Sequence, residues 1–190
     1  MPDALETLAF PNPAAFRKWL TANHRKSPGI WLQIFKKASD TASLTYAEAL
    51  DEALCFGWID GQKQKHDDLS WRQKFTPRRA RGGWSKINTQ HAGRLIAAGR
   101  MKPAGQAEID AAKTDGRWQA AYDSPSNATF PEDFLATLAK DKKAQSFFES
   151  LNKANRYAIA YRLQTAKKPE TRQRRVELIL GMLSRGESFH

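Results

Sequence analysis

The stretch that decides the fold is Trp58-Ile59-Asp60-Gly61-Gln62-Lys63-Gln64-Lys65, then His66-Asp67-Asp68, then Leu69-Ser70-Trp71-Arg72-Gln73-Lys74-Phe75-Thr76. Two extended segments on either side of a short polar turn read as a β-hairpin. In the second segment Leu69, Trp71 and Phe75 alternate with Ser70, Arg72 and Lys74, which turns an apolar row inward and a basic row outward. The sheet built on this hairpin therefore exposes positive charge on one of its strands.

Upstream, Leu5, Leu8 and Phe10 suggest a short strand. Asn12-Pro13 then starts a helix, with Phe16, Trp19 and Leu20 on one stripe. Ile30-Trp31-Leu32-Gln33-Ile34-Phe35 is a nearly continuous apolar run, expected to be a strand covered on both faces. Thr45 with Glu48 forms a capping box, so a helix is expected from about Tyr46 to Phe56, stopping at Gly57. Downstream, Pro77 to Gly83 is a basic loop. Trp84-Ser85 opens a helix with Ser85 placed to cap it, and Ile87, Leu95 and Ile96 are expected to face the core. Pro103 starts another helix, ended by Asp115-Gly116. From Pro131 onward the chain reads as four helices, starting near Pro131, Ala144, Lys153 and Pro169.

These readings predict an α+β fold: a small, mostly antiparallel β-sheet packed with helices, followed by an all-helical C-terminal part. The expected organisation is a core over 1–115 carrying the basic loop, a connector over 116–130 rich in Asp, Ser, Pro, Asn and Thr, and a helical part over 131–190 docked on the core.

Composition narrows the function classes. The chain has 190 residues, a formal net charge of +11 and one cysteine, with a mean hydropathy of −0.67 and a pI of about 9.9. Cys55 alone excludes an intrachain disulfide framework, and no apolar run is long enough to span a membrane. Met1-Pro2-Asp3-Ala4-Leu5-Glu6 carries acids where a secretory leader has lysine or arginine, which predicts a cytoplasmic protein. The positive excess is local, since +9 of the +11 falls between residues 63 and 102. No carboxylate occurs between Asp68 and Glu108, whereas Arg72, Lys74, Arg78, Arg79, Arg81, Lys86, Arg94, Arg100 and Lys102 do. A second basic cluster spans Lys153 to Arg175. Such surfaces attract anions.

Three blocks, Leu54-Cys55-Phe56-Gly57-Trp58-Ile59-Asp60-Gly61, Phe75-Thr76-Pro77-Arg78-Arg79 and Trp84-Ser85-Lys86-Ile87-Asn88, together with Gly99 to Gly105 and Ala166 to Arg175, resemble the YdeI/OmpD-associated, or bacteriocin-protection, family. The resemblance implies a link to tolerance of bacteriocins and antimicrobial peptides. The family name suggests an envelope association that the N-terminal sequence does not support. Where the family often has Ser or Thr before the Trp-Ser pair, this chain has Gly82-Gly83.

The candidate site is an anion- or ligand-binding set: Arg72, Arg78, Arg79, Arg81, Trp84, Ser85, Lys86 and Asn88, with Asp60 as a supporting carboxylate. Guanidinium forks grip phosphate or carboxylate through two bonds, and a helix start offers amide donors and a positive dipole end. The alternative reading is that these arginines pair internally with Asp60, Asp67 or Asp68. Expected partners are an anionic small molecule or anionic surface, or else nucleic acid held by the clusters at 72–102 and 153–175, with Trp71, Trp84 and Trp118 able to stack bases. Arg172, Arg174 and Arg175, at the start of the last helix, need a counterion or a carboxylate from the first part of the chain. The histidines show no metal-ligand spacing, no cofactor motif is present, and no residue set has the pattern of a catalytic constellation. Cys55, between Leu54 and Phe56 near a helix end, is expected to be buried and inert.

Overall fold

A computed structural model describes residues 5–190. Residues 1–4, on which most of the leader argument rests, lie outside the described residues. The chain divides into two units: the residues up to Gly82 together with Gln90–Gly116, and Gly83–Thr89 together with Arg117–His190.

The first unit is built on a four-stranded sheet of order β1-β2-β4-β3. Its strands are β1 (Thr7–Ala9), β2 (Ile30–Phe35), β3 (Trp58–Lys65) and β4 (Ser70–Pro77). β1 and β2 run parallel and the other pairs antiparallel. The predicted hairpin is β3–β4, and Asp67 holds its turn by accepting from the amides of Leu69 and Ser70. Helices α1 (Pro13–Asn23) and α2 (Tyr46–Cys55) begin where the sequence places them. Asn12 caps the first through the amide of Ala15, and the Thr45–Glu48 box closes the second.

Both helices pack on the sheet face that carries Ile30, Leu32, Ile34, Trp58 and Phe75. The Phe16 and Phe75 rings meet at 6.0 Å, and Trp19 and Trp58 meet edge-on at 5.7 Å. Helix α4 (Pro103–Thr114) reaches the end of α2 at Gly105, where a Cβ would lie 2.4 Å from the Cys55 carbonyl oxygen. Only glycine permits that approach.

Three details of this unit differ from the sequence reading. Leu69, expected in the inward row, is 52% exposed just ahead of β4, and Ser70, expected outward, is fully buried, its hydroxyl accepting from the Gln33 amide and donating to Asp67. β2 is not covered on both faces: Ile30, Leu32 and Ile34 are buried, while Trp31, Gln33 and Phe35 are half-buried on the other face. The run contains enough apolar residues to mask this alternation, because two of the three outward residues are aromatic. The pairing of β3 with β4 slips between Asp60 and Lys63, and the amide of buried Gln73 donates to the carbonyls of Gly61 (2.8 Å) and Gln62 (3.2 Å) at that bulge. Gln73 thus occupies the inward row because the bulge leaves carbonyl oxygens there that need a donor.

Helix α3 (Lys86–Ala97) starts in the second unit and continues in the first. Leu95 is buried, but Ile87 and Ile96 are 47% and 39% exposed, against expectation. The buried stripe of α3 instead runs through Asn88, Ala92 and Leu95, spaced by four and three.

The second unit is helical apart from one isolated parallel bridge, Ser85 to Tyr122. Helices α5 (Glu132–Leu138), α6 (Lys142–Ser150), α7 (Lys153–Gln164) and α8 (Pro169–Ser184) enclose Phe134, Leu138, Phe148, Ile159, Leu163, Ile179 and Leu183. Asp141 and Asn152 cap α6 and α7. Buried Asp123 gathers Lys86 Nζ (2.6 Å), the Thr129 amide and hydroxyl, and the Gln164 amide. It ties the segment around α3's first turn to the strand-like connector and to α7.

Candidate functional site

In the first unit the charge falls into two populations. One is internal. On α2, Glu52 is buried and receives Arg17 from α1 (Nε to Oε2, 2.7 Å; Nη2 to Oε1, 3.1 Å) and Arg100 (Nη2 to Oε1, 2.7 Å). Its neighbour Asp51 receives Arg94 at 2.6 Å and lies 3.5 Å from Arg100. Two arginines of the carboxylate-free stretch are therefore balanced by acids about forty to fifty residues away in sequence. Cys55, fully buried beside this cluster, has its thiol pushed up to about 11 by burial and by the Glu52 charge, as expected of an inert cysteine.

The other population faces outward. Arg72 and Lys74 lie on the sheet face opposite α1 and α2, paired in register with Gln33 and Trp31. The Arg72 guanidinium sits 4.9 Å from the Trp31 ring centroid and the Lys74 ammonium 6.0 Å from it. Gln64 Oε1 accepts from both Nε and Nη2 of Arg72, which fixes the plane of the fork. Beyond β4, Arg79 and Arg81 are exposed, and Arg81 has a left-handed backbone (φ 65°) in a turn closed by the Gly82 amide on the Arg79 carbonyl. Among the described residues, Arg72, Lys74, Arg79 and Arg81 have no carboxylate partner. Arg78 is half-buried, and its amide donates to the Gly57 carbonyl at 3.0 Å.

The acids named as alternative partners are engaged locally. Asp60 accepts from the Tyr46 hydroxyl at 2.8 Å. Asp67 serves the hairpin turn and Asp68 meets Lys65 at 2.9 Å. The Tyr46 hydroxyl is pushed up by burial and by Asp60.

In the second unit Trp84 is buried, with the Trp118 ring 5.0 Å away, so it is a core residue there. Ser85 accepts from the Asn88 amide at 3.3 Å, the cap expected for this helix. The Lys86 amide donates to the Tyr122 carbonyl, and its ammonium meets Asp123. At the far end, Arg172 pairs through both Nη atoms with Asp133 of α5, and Arg175 Nη1 donates to the Arg162 carbonyl. The carboxylate that the start of α8 needed therefore comes from within the helical unit. An open groove of about 670 Å³ lies along α7, lined by Tyr157, Tyr161, Lys153, Arg162, Ala158 and His190.

Sequence reasoning passed over Trp31 and the α7 groove. Trp31 was hidden inside an apolar run, although its two-residue spacing from Gln33 and Phe35 marks one strand face. Tyr157 and Tyr161 are spaced by four on one helix, a signal equally expected of a core stripe. Among the described residues, no group of three or more His, Cys, Asp or Glu could hold a metal ion, and no helix is long and apolar enough to cross a membrane.

A four-stranded sheet unit with a basic outer face, followed by a purely helical run, defines a basic α+β protein. The chain belongs to the family described as Domain of unknown function (DUF8412), whose model matches residues 8–108. Residues 127–186 match the model Bacteriocin-protection, YdeI or OmpD-Associated. The resembling blocks between Leu54 and Gly105 thus fall in the first match, and the block from Ala166 to Arg175 falls in the second. No curated protein and no solved structure matches the chain.

Proposed function

We propose that this protein is a binding module for an anionic partner, engaged by the outward basic surface of the first unit, with Arg72, Lys74, Arg79 and Arg81 as its contacts and Arg78 beside them. The observation that carries the reading is the division of charge described above. Arg17, Arg94 and Arg100 sit on carboxylates, whereas the outward cations have none among the described residues. Unmatched cations on one surface focus anions toward it, and arginine forks suit phosphate and carboxylate groups. The start of α3 contributes less, because Ser85 and Tyr122 already receive the amides of Asn88 and Lys86.

The setting proposed is the cytoplasm. Any part in bacteriocin tolerance, as the second matching family's description has it, runs through an anionic partner. Direct capture of cationic peptides is opposed by a net charge of +11, a repulsion felt within roughly 8 Å at physiological salt.

The test is calorimetric titration of the full chain with heparin and with inorganic triphosphate at low and physiological salt. Binding that weakens with salt, and weakens further in a combined Arg72→Ala, Lys74→Ala, Arg79→Ala, Arg81→Ala variant, supports the reading. Binding unchanged in that variant, or no binding of either polyanion at low salt, ends it.

A further inference from the structure

We infer that the sheet face bearing Trp31, Arg72 and Lys74 is a stacking platform for single-stranded nucleic acid. The inference rests on the anion-binding reading above and adds the class of partner. Strand register places Trp31, Gln33 and Phe35 of β2 on the same side as Arg72 and Lys74 of β4 and Gln64 of β3, because Trp31 pairs with Lys74 and Arg72 lies between Gln33 and Gln64. The helices α1 and α2 cover the other side, through Phe16 on Phe75 and Trp19 on Trp58. A sheet face left half-exposed, with two aromatic rings along one strand and cations on the next, is the surface on which unpaired bases stack while phosphates find positive charge.

The details suit a base better than a bare anion. A lone phosphate needs only the cations; it makes no use of an indole. Trp31 already holds a planar cation at 4.9 Å, so the ring and the guanidinium together offer flat surfaces to a base. Gln64 takes Nε and Nη2 of Arg72, leaving Nη1 to donate to a phosphate, and Lys74 supplies a second charge beside the same ring. The Gln33 amide donates to Ser70 Oγ at 2.9 Å, which leaves its carbonyl oxygen as an acceptor, and Gln64 keeps its amide nitrogen as a donor. Base edges carry both kinds of group. Trp31 and Phe35 are four residues apart on the strand, roughly 13 Å, which spaces two stacking positions along a chain of nucleotides. A duplex has its bases stacked internally and offers this face only its phosphates.

The experiment is fluorescence anisotropy of labelled fifteen-residue oligo(dT) and oligo(U) with the full chain. A duplex of equal length and labelled heparin are run in parallel, each at two salt concentrations. The expected result is tighter binding of the single strands than of the duplex. Trp31→Leu is expected to weaken single-strand binding about tenfold, to leave heparin binding unchanged and to be largely rescued by Trp31→Phe. Ultraviolet crosslinking of oligo(U) to the unmodified protein keeps the question answerable if Trp31→Leu folds poorly, and the crosslink is expected on the peptide containing Trp31 and Phe35. Equal affinity for duplex and single strand, wild-type single-strand affinity in a folded Trp31→Leu, or crosslinks confined to other peptides would each overturn the platform while leaving the anion-binding surface standing. Failure of heparin and all oligonucleotides to bind at low salt would remove both.

Discussion

Arg17 reaches Glu52 through two hydrogen bonds, Nε to Oε2 at 2.7 Å and Nη2 to Oε1 at 3.1 Å, and so fastens α1 to α2 across 35 residues of chain. The Glu52 side chain is 3% exposed and that of Arg17 31%. Arg100 approaches Oε1 of the same carboxylate. One buried acid therefore holds two cations, and its removal leaves Arg17 partly desolvated without a counter-charge and Arg100 with Asp51 alone, at 3.5 Å.

Glu52→Gln is accordingly expected to destabilise the protein by about 3 kcal/mol, the range for breaking a buried pair from one side. Arg172→Ala, which breaks the pair with Asp133, an acid 61% exposed, should cost under about 1 kcal/mol. Urea unfolding of the two variants side by side checks the ordering; equal losses would mean that burial of Glu52 does not set its contribution.

Gly105→Ala places a methyl group 2.4 Å from the Cys55 carbonyl and 2.6 Å from that of Leu54. Both obstacles are backbone and cannot rotate away, so α4 must lift from α2. A loss of about 1–3 kcal/mol is expected, as for other overpacked sites, and a Gly105→Ala midpoint equal to wild type in chemical denaturation would contradict it.

Asp123 gives the fold a dependence on acid. Burial alone would raise its carboxyl, but Lys86, Thr129 and Gln164 outweigh burial and hold it well below the ordinary 3.8. A depressed carboxyl stabilises the fold above its unfolded value, and that stability is lost as pH falls through and below 3.8. Asp123→Asn should be less stable than wild type at neutral pH, and the gap should narrow as pH drops below 4. Thermal midpoints measured between pH 7 and 2.5 check this; a constant gap would show that the carboxylate charge plays no part.

Cys55 supplies the opposite dependence. With the thiol at about 11 in the fold against 9.0 otherwise, stability is full below pH 9 and declines as pH rises through that interval. Native protein should react with a thiol reagent at pH 8 only as fast as it opens, and Cys55→Ser should remove the part of the alkaline decline that begins at pH 9, leaving the part above pH 10 that the raised Tyr46 and Tyr157 hydroxyls supply. Rapid labelling of the folded protein would refute the burial argument.

Much of this was open to reading because its causes are local. The hairpin followed from the alternation of Trp71, Arg72, Lys74 and Phe75, and the helix starts from Asn12-Pro13 and Thr45 with Glu48. What stayed hidden depends on partners distant in sequence. Nothing near Arg94 or Arg100 announces that Asp51 and Glu52 will meet them. Nothing beside Arg172 points to Asp133 over 39 residues. Trp31 was obscured for a different reason: aromatic residues satisfy the pattern of a buried face and of a half-buried one equally well, so only the register of β2 with β4, with Trp31 opposite Lys74, shows which face it takes.

The bulge in β3 has a further consequence. β3 is an edge of the sheet, and an edge strand is a template on which another extended chain can add itself. Here the slip between Asp60 and Lys63 breaks the even row of backbone donors and acceptors, Gln73 occupies the carbonyls of Gly61 and Gln62, and Lys63 and Lys65 stand exposed along the same strand. A chain arriving to extend the sheet would meet a broken ladder and two like charges, so this border resists aggregation.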